Sequence, residues 1–436
     1  MAKTVKKRSR VDRLQNLAIF LLTLSALALL SSIPLFGALS DLSLLDLAKG
    51  WAKKGAAPVQ KETTSLATLG APLRLVLSND YTRLGFDALT TLDDAFNPSG
   101  VYLGAALGTV NMAEREDPDA FLSALRGTGV YFDFTAALPT DGLALALGVT
   151  TPELPLSTVR RALLCPDESG GVALHLADAD GVCCVCSTAL GTEELDALLL
   201  ALDGNGAEFA MLSGADYAML APETLILSEA TPRCVLSADL PFSPADSADF
   251  LRRAEFNAYT ENRYVESSGT VIVRGTASTL HLNPNGVIGY QGGSADPGSV
   301  YAVPSEQPNA PTLREAIAAA QKLMVTLTQG QLGEAGVYLV DARSAAGGYE
   351  VIFDYCCGGT PIRFADGGHA ATVTVKGGSI SAFSLRLRRY TATAETALLL
   401  PLRQAAAIAR IKPGAELSVA YIDGGGETVT PSWTAD

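Results

Sequence analysis

The side chains that could do chemistry are few and scattered. The three histidines are His175, His281 and His369. They lie far apart, and none belongs to the H-E-x-x-H pattern that places two zinc ligands on one helical face. His175 and His281 fall inside strand-like runs, where an imidazole facing solvent or a single partner is the expected state. Cys183 and Cys186 form a C-x-x-C. A zinc site needs about four convergent ligands, and the other adjacent pair, Cys356-Cys357, lacks chelating spacing. A redox C-x-x-C opens a helix, whose dipole lowers the thiol pKa; this one sits in the β-like run GVCCVCSTAL. Buried packing is therefore the expected role of most of the seven cysteines. Asp93-Asp94 and Glu114-x-Glu116-Asp117 offer paired carboxylates for general acid–base work, but near helix starts such groups favour the dipole or face water. Arg386, Arg388 and Arg389 in LRLRRY put two cations on one strand face, either solvated or turned toward an acidic partner. G-x-S-x-G, Walker and G-x-G-x-x-G motifs are missing from the sequence, and Gly424-Gly425-Gly426 reads as a turn. No catalytic residue, cofactor-binding residue or metal ligand is expected, nor a small-molecule cofactor.

The elements that would position these groups follow from periodicity and turn chemistry. LRLVL (73–77) and VYFDF (130–134) read as strands. Residues 83–96 place Leu84, Leu89, Leu92 and Phe96 at helical spacing. Asp117-Pro118 starts a short helix that buries Phe121, Leu122 and Leu125 and ends at Gly127. RALLC, GVALHL and GVCCVCSTAL form a meander over 161–188. Thr192 caps a helix with Leu195, Leu198, Leu199 and Leu202 on one face, closed by Asn205-Gly206. Another helix starts at Ser243-Pro244 and runs to about Ala254. Three or four strands fill 263–291, with Asn283-Pro284-Asn285-Gly286 as a strong turn. Thr312-x-x-Glu315 is a capping box opening a helix with Leu313, Ile317, Ala320, Leu323, Met324 and Leu327 on one side. Strands follow at 337–341, 349–355, 360–364, 371–376 and 380–390, then a helix from Pro401, a strand at 417–423, and Pro431-Ser432-Trp433 to finish. The helix-then-meander order of 312–390 partly recurs over 401–433. Strands without regular βαβ alternation predict an α+β fold.

The chain has 436 residues and a formal net charge of −14, unevenly spread. Residues 1–13 hold Lys3, Lys6, Lys7, Arg8, Arg10 and Arg13 against Asp12. Without those six bases and one acid, the 32 basic and 46 acidic residues fall to 26 and 45, a net of −19. Such an acidic body repels nucleic-acid phosphates. From Leu14 to Ser40 no residue is charged, and Leu17 to Phe36 reads LAIFLLTLSALALLSSIPLF. Twenty helical residues span roughly 30 Å, the thickness of the hydrocarbon layer, and the preceding basic cluster should stay cytoplasmic, sending the body outward. A cleaved signal peptide is the rival reading, since Ala38-Leu39-Ser40 offers a small-x-small site; the apolar core, however, exceeds the usual length of about 7–15 residues. The expected organisation is a basic tail (1–13), a transmembrane helix (14–36), a stalk (37–70) and two extracytoplasmic α+β regions (71–240 and 241–436). Within the anchor, Leu17 and Phe36 bound a stretch whose small and hydroxyl residues Ala18, Thr23, Ser25, Ala26, Ala28, Ser31 and Ser32 would let a partner helix approach closely, or would simply face lipid.

The stretches GVYFDFTAALP, FNAYTENRYVESSGTVIVRGTASTLHLNPNGVIGYQ, LREAIAAAQKL and YEVIFDYCCGGTPI, behind a basic-tailed anchor, resemble the YycH/YycI-type regulatory proteins of Gram-positive bacteria over nearly the whole chain. The C-terminal helix-plus-meander is also similar to PepSY-like modules. The resemblance implies a non-enzymatic, membrane-anchored protein that contacts a membrane sensor histidine kinase of a two-component system through its transmembrane helix and outer domain. It brings no catalytic residue with it. Two other readings remain open: an extracytoplasmic module that binds a peptide or small ligand in a concave pocket, and a hydrolase built on an unrecognised carboxylate or Ser/Lys arrangement.

Overall fold

The computed structural model describes residues 72–79, 82–87, 92–200, 202–227, 232–259, 262–292, 301–307 and 310–436. The tail, the expected anchor Leu17–Phe36 and the stalk lie outside the described residues. Among the described residues no helix is long and apolar enough to cross a membrane. The described residues fall in one compact unit, and its fold is α+β with antiparallel sheets.

The N-terminal sheet holds β1 (Pro72–Ser78), β2 (Arg83–Asp87), β3 (Met112–Glu116), β4 (Gly129–Pro139), β5 (Thr158–Pro166), β6 (Gly171–Ala177) and β7 (Cys183–Gly191) in the order β2-β1-β4-β5-β6-β7-β3. Its helices are α1 (Leu92–Gly108), α2 (Pro118–Ala124), α3 (Thr140–Ala146) and α4 (Glu193–Leu199). Alternation decides which face each strand turns to each core. Val130, Phe132 and Phe134 of β4 enter the main core, whereas Tyr131 joins a smaller cluster with Phe121, Leu125 and Cys183.

A short pair, β8 (Glu208–Phe209) with β9 (Leu225–Ile226), leads to the second sheet. That sheet contains β10 (Arg233–Asp239), β11 (Arg263–Val265), β12 (Val271–Arg274), β13 (Ser278–Leu282), β14 (Val287–Gly292), β15 (Ala335–Ala345), β16 (Gly348–Cys357), β17 (Thr360–Phe364), β18 (Ala371–Lys376), β19 (Ser379–Arg386), β20 (Arg389–Ala397), β21 (Leu417–Asp423) and β22 (Thr428–Ala435), with helices α5 (Ala248–Arg253), α6 (Leu313–Thr328) and α7 (Leu402–Ala409). Strands β15, β16, β17, β21, β22, β10 and β20 follow one another by hydrogen bonds. The run then closes on itself. The Tyr390 amide donates to the Leu332 carbonyl and the Glu334 amide to the Tyr390 carbonyl, each at 2.9 Å. Gly333 sits between them at φ +69°, and a Cβ there would stand 2.2 Å from the Tyr390 oxygen, so only glycine fits the closure.

Helix α6 binds the two sheets. Its capping box forms in full, Thr312 accepting from the Glu315 amide and Glu315 from the Thr312 amide. Ile317, Ala320, Met324 and Leu327 are all fully buried in the core shared by both sheets. Gly142 of α3 lets α6 and β15 come close, because a Cβ there would lie 2.9 Å from Leu339 Cδ2.

Several sequence expectations need correction. Residues 83–87 are a strand, not the first turns of a helix: Leu84 and Phe86 pair with Leu77 and Leu75 of β1, and Gly85 leaves room for Ala207. The helix of this region begins at Leu92 and runs on to Gly108 through Pro98. Thr192 precedes α4 without a side-chain cap, and the helix after Ser243-Pro244 starts only at Ala248. The apolar run 380–390 is two strands. It breaks at Leu387-Arg388, after which β20 leaves β19 for β10. Pro431-Ser432-Trp433, given no element by the sequence, belong to a further strand, β22, paired along β21.

Candidate partner-binding groove

Three places gather polar or apolar groups that could serve function. The first is around His175. Its Nδ1 lies 2.9 Å from a Glu116 carboxylate oxygen. Burial disfavours the imidazolium, but hydrogen bonds with Cys165 and Glu116 outweigh it and push the pKa up to about 9. The group is closed over beneath α2, with His175 only 8 % exposed and Cys165 7 %. Glu116 of the acidic cluster is thus an imidazolium partner, and Asp117 caps α2 by accepting from the Asp119 amide. Asp93 and Asp94 lie in the first turn of α1, where side chains are outside the described set. Cys183 and Cys186 do not converge: Cys183 enters the small cluster under α2, and Cys186 faces the main core. Among the described residues no three His, Cys, Asp or Glu side chains are placed to share a metal ion. None of the seven cysteines forms a disulfide. His281 is half-buried on β13, and His369 bonds Asp354 at 3.0 Å.

The second place is a polar cleft of about 1240 Å³ between the end of β19, the β17–β18 turn and the Gly424–Gly426 turn. Its cations are already engaged. Arg386 pairs with Asp366 at 2.8 Å and stacks on Phe364. Arg388 pairs with the buried Asp423 at 2.9 Å, and its Nη atoms donate to the Gly425 and Gly426 carbonyls. Tyr390 donates to the same Asp423 at 2.8 Å. These arginines fasten turns to the sheet, which removes them from the solvated strand face expected of LRLRRY.

The third place is apolar and open. After β20 the chain runs Leu398-Leu399-Leu400-Pro401 into α7. Pro401 sets the extended turn before the helix and accepts from the Gln404 and Ala405 amides. Ala405, Ala406 and Ala409 form the buried face of α7, and their small size seats the helix against Leu220, Ile226 and Leu417. Ile408 on the flank of α7 is 57 % exposed, Ile411 just past the helix end is 89 % exposed, and Leu398 is fully exposed. Trp433 of β22 closes the floor by donating its Nε1 proton to the Leu400 carbonyl at 2.8 Å. Together they form a groove of about 490 Å³. Exposed apolar groups gathered in one concavity mark an interaction surface, whereas scattered ones do not.

The groove runs along the outer edge of β22. Glu416 and Asp436 exchange both backbone hydrogen bonds. By antiparallel alternation the backbone groups of Pro431, Trp433 and Ala435 therefore point away from β21. Strand β10 uses this outer edge only as far as Val429. Beyond it, no strand among the described residues pairs with the edge. Sequence reading missed this site. Its one sequence signal is the Leu398–Leu400 triplet followed, past the alanines of α7, by Ile408 and Ile411. The predicted anchor positions Leu17 to Phe36 lie outside the described residues.

No protein-family model matches the chain, and no curated protein does. Among solved structures it is similar to YycH from Bacillus subtilis, with a TM-score of 0.53 and 11 % identity, covering 87 % of this chain and 96 % of that one. At that identity the likeness is one of fold: the chain has a YycH-like fold.

Proposed function

We propose that this chain is a non-enzymatic regulatory protein of the YycH type. It is held to the cell membrane by Leu17–Phe36 with its body outside, and acts by contact on a membrane sensor kinase of a two-component system. The YycH-like fold over most of both chains is the observation that carries this reading. The open apolar groove beside α7 supplies a contact surface of the kind the reading needs. The small residues Ala18, Thr23, Ser25, Ala26, Ala28, Ser31 and Ser32 give the anchor a face for a partner helix. The test is photo-crosslinking in intact cells from Ser25 and from Ser32 of the full-length chain. Capture of a sensor kinase or of an associated membrane regulator is the expected result. Release of the full-length chain by alkaline carbonate, or crosslinks to lipid alone, would rule the reading out.

A further inference from the structure

We infer that the outer edge of β22 accepts an extended segment of a partner protein as an added strand, with an acidic residue of that segment set against Arg410 and Lys412. The inference rests on the contact reading above and names the mode and chemistry of one contact.

Three observations carry it. The first is the edge itself. Trp433 and Ala435 present both backbone groups outward, and Pro431 presents only a carbonyl. A five-residue ledge with one missing donor is what remains after β10 leaves at Val429. Unpaired edges of this kind pair with another strand unless charge, a bulge or a covering element blocks them; here a proline stands at one end, the Ser432 hydroxyl reaches the Trp433 carbonyl at 3.4 Å, and no strand among the described residues covers the rest. The second is the groove beside the edge. An added strand would turn alternate side chains toward Leu398, Ile408 and Ile411, whose exposure has no internal use. Backbone bonds supply affinity and alternate pockets supply selectivity in strand addition. The third is charge. In a chain of net −14, the exposed Lys412 lines the groove, and Arg410, also exposed, stands two residues before it in the turn after α7. Burial would raise the Asp436 carboxyl, but Arg363, with smaller help from Arg160 and Lys412, holds it below its usual range. Arg410 is in no ion pair among the described residues. A basic rim on an acidic body selects an acidic flank on the incoming segment.

The probe is a fluorescent peptide of alternating valine and threonine with an aspartate at each end, added to the full-length chain in detergent and read by anisotropy. The account expects saturable binding, lost when alternate backbone amides on one edge of the peptide are N-methylated. Binding should weaken about tenfold or more in Ile408→Asp and in Ile411→Asp. Replacing the aspartates by lysines should weaken binding to the natural chain and restore it in Arg410→Glu/Lys412→Glu. Both isoleucines are exposed, so circular dichroism should show the variants folded. Hydrogen exchange at the Trp433 and Ala435 amides should be fast alone and slow with peptide. Equal binding of the N-methylated peptide, no binding of the aspartate peptide, or a dimer of the chain that is lost in Ile411→Asp would overturn the inference. The last result would make a second copy the occupant. If these fail while the anchor crosslinks still capture a kinase, the regulatory reading stands without strand addition; the converse result would leave a strand-binding protein of another function.

Discussion

Arg161 of β5 donates to the carboxylate of Glu416 at 2.9 Å, across 255 positions of chain. The same carboxylate bonds Arg74 and, at 3.3 Å, Arg160, and both of those guanidinium groups also pair with Asp133. Arg161 holds Glu223 as well, at 2.8 Å. Glu416 is the residue whose backbone exchanges hydrogen bonds with Asp436 at the end of β22. A buried ionic cluster on the N-terminal sheet thus fixes the strand pair that bears the groove.

Removing one member should therefore leave its partners buried and uncompensated. Burial alone would raise the Asp133 carboxyl, but Arg160, Arg74 and Arg161 outweigh it and hold it below the usual carboxylate range. We expect Asp133→Asn to lose about 3–5 kcal/mol at neutral pH, as for other broken buried pairs, measured by denaturant unfolding. A depressed carboxyl contributes stability above its unfolded pKa and loses it as pH falls through the folded value. The natural chain should thus weaken steeply below about pH 4, and the variant less so. Parallel pH profiles for the two would contradict the assignment.

His175 predicts the opposite limb. Its folded pKa of about 9 lies above the ordinary value of 6.5, so its contribution is complete below the unfolded value and disappears as pH rises through the folded one. Stability should fall between neutral pH and about pH 10 by on the order of 2 kcal/mol, and His175→Gln should flatten that fall. An unchanged alkaline limb in the variant would show that the Glu116 contact carries no proton linkage.

The closure at Gly333 gives a backbone prediction. Gly333→Ala must move the Tyr390 carbonyl or abandon φ +69°, a cost of order 1–3 kcal/mol. Because the Tyr390 amide donates to Leu332, its hydrogen exchange should accelerate in the variant more than that of amides in the middle of β16. Equal protection at both places would mean that the ring is held elsewhere.

How much of this was legible in the sequence follows the range of the forces involved. The Thr312–Glu315 box, the Asp117-Pro118 start and the Asn283–Gly286 turn are local, and the structure forms each where the residues indicate. The break at Leu387-Arg388 was not legible, since apolar alternation runs through it. What separates β19 from β20 is the pull of β10 and of Leu332–Glu334, distant segments. Leu84 fits a helical stripe with Leu89, Leu92 and Phe96 as well as a strand, and its pairing with Leu77 of β1 decides between them. The groove was hidden for a similar reason. Leu398, Ile411 and Trp433 become one surface only when β22 pairs with β21, and the proline in TVTPSWTA masks that strand.

Surface substitutions in the groove should separate folding from contact. Ile408→Asp and Ile411→Asp alter side chains that are 57 % and 89 % exposed, so unfolding midpoints should move by no more than about 0.5 kcal/mol in free-energy terms. A large destabilisation would mean that these residues are structural, and the groove would lose its case as a contact surface.

The most direct test of contact as the mode of action is a photo-crosslinking residue at position 411 of the full-length chain in living cells, with adducts identified by mass spectrometry. The account predicts one discrete adduct with a membrane signalling protein, lost when Ile408→Asp is added. No adduct, or the same set of adducts from an exposed site outside the groove such as Ser268 in the β11–β12 turn, would contradict it.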